Sequence, residues 1–106
     1  MAHAQIQTPR VTAHRLTQSL VVYHVDARYL YLDQFEEASR EDIATILEYL
    51  IDALAVGTAM HEVRVYSFKN ATLIIVADPH DFGVDYHMLV FEHEMNFVGY
   101  RRTTIE

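Results

Sequence analysis

The sequence predicts a single α+β domain in which one amphipathic helix packs on an antiparallel sheet of about four to five strands. Three observations favour this fold: the chain has only 106 residues, apolar side chains recur at helical spacing over residues 40–56, and the pattern changes to a period of two after residue 57. The expected order is hairpin, helix and meander. We expect residues 1–106 to form one domain, with residues 1–10 as a flexible or irregular N-terminal arm.

The helix over residues 40–56 has recognisable signals at both ends. Ser39 occupies the N-cap position, with Asp42 three residues later as an acidic variant of the capping box. Gly57 follows the last periodic residue, as expected of a C-terminal cap. The predicted buried stripe consists of Ile43, Ile46, Leu47, Leu50, Ile51 and Leu54.

The C-terminal half predicts a meander of strands. Residues 62–68 alternate, residues 72–77 form an apolar run, and residues 84–94 and 97–103 have strand composition. Residues 78–83 contain Pro79 and Gly83 and predict a loop. The sheet is therefore expected to have strands at 62–68, 72–77, 84–94 and 97–103.

Residues 11–32 are ambiguous between a hairpin and a helix. β-Branched and aromatic residues cluster at 20–25 and 29–32, which favours a hairpin between these two segments. Ala13, Leu16, Leu20 and His24, however, would lie on one face of a helix that begins near Pro9.

Composition excludes several classes of protein. Fifteen acidic residues against eight Lys and Arg give a formal net charge of -7, which disfavours direct binding to nucleic acid phosphates. The chain has no cysteine, which excludes disulfides, thiolate zinc sites and cysteine nucleophiles. No apolar run reaches the ~18 residues of a membrane span, and no secretory signal is apparent at the N-terminus, so we expect a cytoplasmic protein. Glycine occurs only at positions 57, 83 and 99, which excludes a glycine-rich phosphate loop.

The negative charge falls in two blocks. Residues 26–62 hold nine acids and two arginines, and residues 78–94 hold five acids and no Lys or Arg. The second block contains or adjoins His80, His87 and His93. We therefore expect it to lose much of its negative field between about pH 7 and pH 5.5, because the reference pKa of histidine is about 6.5.

The first candidate site is the acidic face of the helix, expected to bind a protein partner with a basic surface. Like charges at i, i+4 destabilise a helix by roughly 0.2–0.5 kcal/mol, so stability does not favour this arrangement. A basic partner would favour it through charge complementarity. A merely solvated acidic face is the alternative. The candidate residues are Glu37, Glu41, Glu48, Tyr49 and Asp52.

The second candidate site combines carboxylates and imidazoles that could act as a general base with its orienting group, or as ligands of a divalent ion. Asp and Pro are also common turn residues, and the spacing matches no metal motif, so no metal and no cofactor is predicted. The residues are Asp78, His80, Asp81, Asp85 and His87.

These features predict a small, acidic, non-catalytic protein-binding module. Its size and charge are typical of inhibitor, immunity and phage anti-defence proteins that dock on a basic, nucleic-acid-handling partner by imitating phosphates. One alternative is a small enzyme or metal-binding domain that uses residues 78–87. The other is a homo-oligomeric structural subunit, including a homodimer, because seven tyrosines exceed what so small a core accommodates and exposed tyrosine is common at interfaces.

Overall fold

A computed structural model describes residues 11–26, 28–55 and 61–106 of the chain. In this part of the chain one helix and seven strands form a single α+β domain. The elements are β1 (Val11–Arg15), β2 (Leu20–Val25), β3 (Glu36–Glu37), α1 (Arg40–Leu54), β4 (Glu62–Ser67), β5 (Ala71–His80), β6 (Gly83–Glu92) and β7 (Val98–Ile105).

The strands form one sheet in the order β1-β2-β4-β5-β6-β7-β3. The predicted meander is confirmed, because β4, β5, β6 and β7 pair antiparallel with their neighbours. β2 and β4 pair in parallel, and α1 lies between them in the chain. A parallel pair needs such a crossover connection, so α1 returns across one face of the sheet.

The prediction of four to five strands is too low, and the N-terminal hairpin has a different partner. β2 pairs with β1, while residues 29–32 form no strand. All five β1 residues are exposed, so no buried face imposes an apolar alternation that the sequence could show. β3 has only two residues and exists through its pairing with β7. The helical alternative for residues 11–32 does not occur in the described part of that segment.

Residues 78–83 are also not the predicted loop, because β5 and β6 continue to a two-residue turn. Asp81 and Phe82 form the turn between paired His80 and Gly83. Pro79 lies beyond Ala77, the last β5 residue paired with β4, and proline is tolerated where one edge of a strand is free. Gly83 has φ +148°, and a Cβ there would lie 2.3 Å from the backbone oxygen of Ile105, so only glycine fits.

The start of α1 is confirmed. The Ser39 hydroxyl accepts a hydrogen bond from the Asp42 amide at 3.1 Å, and the Asp42 carboxylate accepts one from the Ser39 amide at 3.2 Å. The described helix ends at Leu54, and the predicted end at Val56 with its Gly57 cap lies outside the described residues. The Thr17 hydroxyl donates to the Ala53 carbonyl at 2.6 Å, which holds the end of α1 to the β1–β2 connection.

The two faces of the sheet differ in what covers them. α1 packs on the first, the helix face, where the main core consists of Leu20, Ile46, Ala53, Val63, Ile74, Val76 and Leu89. On the opposite face, the side chains of Leu30, Leu32 and Phe35 cover one half of the sheet. They pack there against a second buried cluster, which consists of Ala71, Leu73 and Val90. The Asn70 side chain holds this segment by accepting from the Leu30 amide at 2.8 Å and donating to the Leu30 carbonyl at 2.9 Å. The uncovered half is the open face, centred on Ile75, Tyr86 and Met88.

Candidate functional site

The outer face of α1, directed away from the sheet, carries three exposed carboxylates. The capping box fixes where the helix begins and therefore which side chains point outward. With 3.6 residues per turn, Glu41, Glu48 and Asp52 lie within about 40° of one another around the axis. All three are exposed. The sequence prediction of an acidic row on the helix is thus realised for these residues.

One large apolar side chain, Ile51, lies beside this row, and a second, Leu54, is exposed near the end of α1. Ile51 is 67% exposed and Leu54 is 50% exposed, although helical periodicity assigned both to the buried stripe. Within that stripe Ile46 is fully buried, while Ile43 and Leu50 only border the core. Exposed apolar groups next to charges are a common composition for the rim and edge of a protein interface.

The carboxylates of the outer face have no ion pair with any residue in the described ranges. The pairs that occur there join Asp78 and Asp85 to histidines and Arg102, and Glu62 to Arg64. The last turn of α1 also lacks a basic residue that would compensate the helix dipole. The acidic row is therefore not explained by pairing within the described chain.

Two of the five residues predicted for this surface lie elsewhere. Glu37 belongs to β3 and pairs with Gly99 of β7, because the chain before Ser39 is extended and not helical. Tyr49 lies on the inner side of α1, half-buried against the core, with its ring 4.3 Å from that of His61. The surface that remains consists of Glu41, Glu48 and Asp52, and it adjoins Ile51.

The second candidate site lies on the helix face, at the end of the sheet that contains the turn between β5 and β6. Strand alternation puts Asp78, His80, Asp85 and His87 on this one face, and the register sets Asp78 opposite Asp85. The structure thus brings four of the five predicted residues together. Asp81 occupies the exposed hairpin turn and stays outside the cluster.

Asp85 is the most strongly held carboxylate of this cluster. Its Oδ1 accepts from the Thr104 hydroxyl at 2.7 Å and lies 3.1 Å from His80 Nε2, and its Oδ2 accepts from Arg102 at 2.8 Å. The hydrogen bond from Thr104, followed by those of His80 and the charge of Arg102, outweighs burial and lowers the pKa of Asp85 to about 2. Asp85 is therefore ionised near neutral pH and anchors β6 to β7.

His87 and Asp78 form the inner part of the cluster together with residues that sequence reasoning did not find. His87 Nδ1 lies 2.6 Å from the Tyr100 hydroxyl, and its Nε2 lies 4.0 Å from Asp78 Oδ2. Asp78 Oδ1 lies 3.2 Å from His61 Nε2. Burial, and next the charge of Arg102, lowers the pKa of His87, while burial followed by the charge of Asp42 raises the pKa of Tyr100.

Burial thus favours the neutral forms of His87 and Tyr100, whose 2.6 Å contact joins β6 to β7. In the ranges that the structure describes, no three His, Asp or Glu side chains are arranged to hold a metal ion. Of the residues missed by the sequence analysis, Tyr100, Arg102 and Thr104 lie on β7 and reach the cluster through its register with β6, and His61 lies immediately before β4.

A third surface, the open face, was not among the candidate sites predicted from the sequence. A depression of about 290 Å³ lies there, lined by Ile75, Tyr86, Met88, Arg101, Thr103 and Ile105. A smaller one of about 120 Å³ adjoins it, because Ile75 and Tyr86 line both. Arg64 and Glu62 border the smaller depression. The open face therefore combines an apolar floor with arginines at both ends.

The described residues contain no helix of the length and apolar character that crossing a membrane requires. Comparison of the chain with protein-family models, curated proteins and solved structures finds no match.

Proposed function

We propose that this protein is a small, non-catalytic protein-binding module that docks the outer face of α1 on a basic surface of a partner protein. The observation that carries the proposal is the row of three exposed carboxylates, Glu41, Glu48 and Asp52, without ion pairs to the described residues and beside the exposed Ile51. Acidic and apolar groups are thus presented together on one rigid element.

The energetics of the helix support a role in binding. Repulsion between the i, i+4 pair Glu48 and Asp52 costs an isolated helix roughly 0.2–0.5 kcal/mol, and no ion pair with a described residue offsets it. A basic partner would offset this repulsion, accelerate association by long-range attraction and disfavour acidic competitors. Burial of Ile51 against the partner would add an apolar contact that excludes water, which the exposed carboxylates alone do not provide.

The kind of partner follows from the spacing and sign of the charges. A rigid row of carboxylates resembles a row of phosphates to a surface of Lys and Arg, so a protein that handles nucleic acid is the expected partner. The module would then act as an inhibitor, of the immunity or anti-defence type, by occupying the phosphate-binding surface. This predicts that nucleic acid and the module compete for the partner.

Affinity capture from cells of the source, followed by a direct binding measurement, tests the proposal. We expect the captured protein to be basic and its complex to be displaced by nucleic acid. The triple variant Glu41→Lys, Glu48→Lys, Asp52→Lys should bind it at least about 100-fold more weakly, since close charge pairs at interfaces contribute about 1.5–7 kcal/mol each.

The matched control is Asp81→Lys, Glu94→Lys, Glu106→Lys, which changes the net charge equally at three exposed positions away from α1. We expect this control to retain most of the affinity. If the helix variant binds as tightly as the wild type, or if both triple variants weaken binding equally, the outer face of α1 is not the binding surface.

A further inference from the structure

The open face is an apolar groove with one basic residue at each end. Its two depressions meet at Ile75 and Tyr86, and Met88 extends the apolar floor. Arg64 on β4 and Arg101 on β7 occupy one cross-strand row, because Arg64 pairs with Ile75, Ile75 with Met88, and Met88 with Arg101. Three strand spacings separate the two arginine backbones by about 14 Å.

The charges of this groove are mostly available to a partner. The Arg64 side chain is 52% exposed, and its one ion pair in the described chain is a 4.0 Å contact with Glu62. Arg101 is exposed and donates to the neutral Gln34 side chain at 2.7 Å. Arg15 and Arg64 line a neighbouring depression, which extends the basic character toward β1. The open face is therefore basic although the whole chain carries a net charge of -7.

The sign of these charges selects which surface can cover the groove. Two open faces packed on each other would set arginines against arginines, and Glu62 is the one acidic residue among the described residues that line the two depressions. The outer face of α1 has the opposite charge and its own exposed apolar side chain, Ile51. At 1.5 Å per residue, Glu48 lies about 10 Å and Asp52 about 16 Å along the axis from Glu41, which brackets the 14 Å arginine spacing.

We propose that the open face binds the outer face of α1 from a second copy of this chain, in a head-to-tail contact. The inference rests on the proposed function in one respect, since it assigns a partner to the same helix surface. A helix on the open face would give the sheet helices on both sides, which is a stable layer arrangement. Because the two contacting surfaces differ, repetition of the contact produces a ring or an open chain of copies.

Mixing of complementary variants tests the proposal. The first variant, Arg64→Glu with Arg101→Glu, reverses the groove and leaves α1 intact. The second, Glu41→Lys, Glu48→Lys, Asp52→Lys, reverses the helix and leaves the groove intact. Arg28→Glu with Lys69→Glu is the control for the first, with an equal change of charge at exposed positions elsewhere. Circular dichroism establishes that each variant is folded, and light scattering coupled to size-exclusion chromatography measures the mass.

We expect the mass of the wild type to rise at least twofold above that of the 12.3 kDa monomer with increasing concentration, and the control to behave alike. Each reversed variant alone should stay monomeric. Their mixture should associate, because the intact helix of the first variant meets the intact groove of the second, and the two reversed surfaces are again opposite in charge.

Four results would overturn the head-to-tail contact. They are a wild type that stays monomeric up to its solubility limit, self-association of the groove variant, self-association of the helix variant, and a mixture that remains monomeric. A monomeric wild type whose helix variant still loses the captured basic partner would refute this inference alone. Self-association as described, with capture unaffected by the helix variant, would refute only binding to a foreign basic partner.

Discussion

The two faces of the sheet use the same types of residue in different ways. On the helix face, Leu89 is fully buried, Asp85 accepts hydrogen bonds from β7, and Tyr100 is bonded to His87. The corresponding groups of the open face are Met88, Glu62 and Tyr86, none of which is fully buried. Residues of the same type therefore contribute differently to stability on the two faces, because α1 covers only one side of the sheet. The covered face stabilises the domain, and the open face has surface left for binding.

The largest expected difference between the faces concerns apolar packing. Leu89→Ala should lower the free energy of unfolding by about 2–5 kcal/mol, because it leaves a cavity under α1. Met88→Ala, one residue earlier and half-buried on the open face, should lower it by about 1 kcal/mol. Urea denaturation at a concentration where the chain is monomeric measures both values. Equal losses would mean that the open face is covered in the monomer, contrary to the groove described above.

The next difference concerns the carboxylates. The folded pKa of Asp85 is about 2 against a reference value of 3.8, so its contribution to stability is complete above about pH 4 and is lost as the pH falls toward 2. Asp85→Asn should therefore destabilise the fold at neutral pH, and the difference from wild type should shrink between about pH 4 and pH 2. Urea denaturation at a series of pH values measures this difference.

Glu62→Gln is the matched change on the open face. The Glu62 carboxylate is 70% exposed and only 4.0 Å from Arg64, so we expect little effect on stability at any pH. A difference for Asp85→Asn that did not vary with pH would show that the lost hydrogen-bond geometry, and not the ionised carboxylate, is responsible.

Local features of the fold were predictable from the sequence, and long-range ones were not. The capping box spans three residues, so Ser39 and Asp42 reveal the start of α1 directly. The meander was visible because its strands are half-buried and connected in series. β3 exists only through β7, and the parallel pairing of β2 with β4 joins residues more than 40 positions apart. Neither leaves a periodic trace in its own segment.

The candidate sites show the same division. Period-two alternation is enough to put Asp85 and His87 on one face of a strand, but Arg102 and Thr104 become their neighbours only through the register with β7. Helical periodicity correctly grouped Glu41, Glu48 and Asp52. It did not reveal that Ile51 is exposed, because the way α1 packs on the sheet decides which flank of the helix is covered.

The smallest of the three differences concerns hydroxyl groups. Tyr100→Phe removes the 2.6 Å hydrogen bond to His87 Nδ1 and should lower the free energy of unfolding by about 0.5–1.5 kcal/mol. Tyr86→Phe, on the open face, removes a hydroxyl that has no hydrogen bond to the described residues, and its effect should stay within about 0.5 kcal/mol. Urea denaturation at pH 7.5 measures both changes.

The pH dependence of stability distinguishes the effect of the His87 hydrogen bond from the effect of its burial. Burial lowers the folded pKa of His87 below its reference value of 6.5, so the unfolded chain takes up the proton first and stability decreases as the pH falls below about 6.5. This places the charging of His87 at a lower pH than the sequence-based expectation for residues 78–94. The lowered pKa should largely persist in Tyr100→Phe, because burial is its main cause. A His87 imidazole that titrates by NMR at or above pH 6.5 in the wild type would contradict this account, since the helix face would then fail to keep the ring neutral.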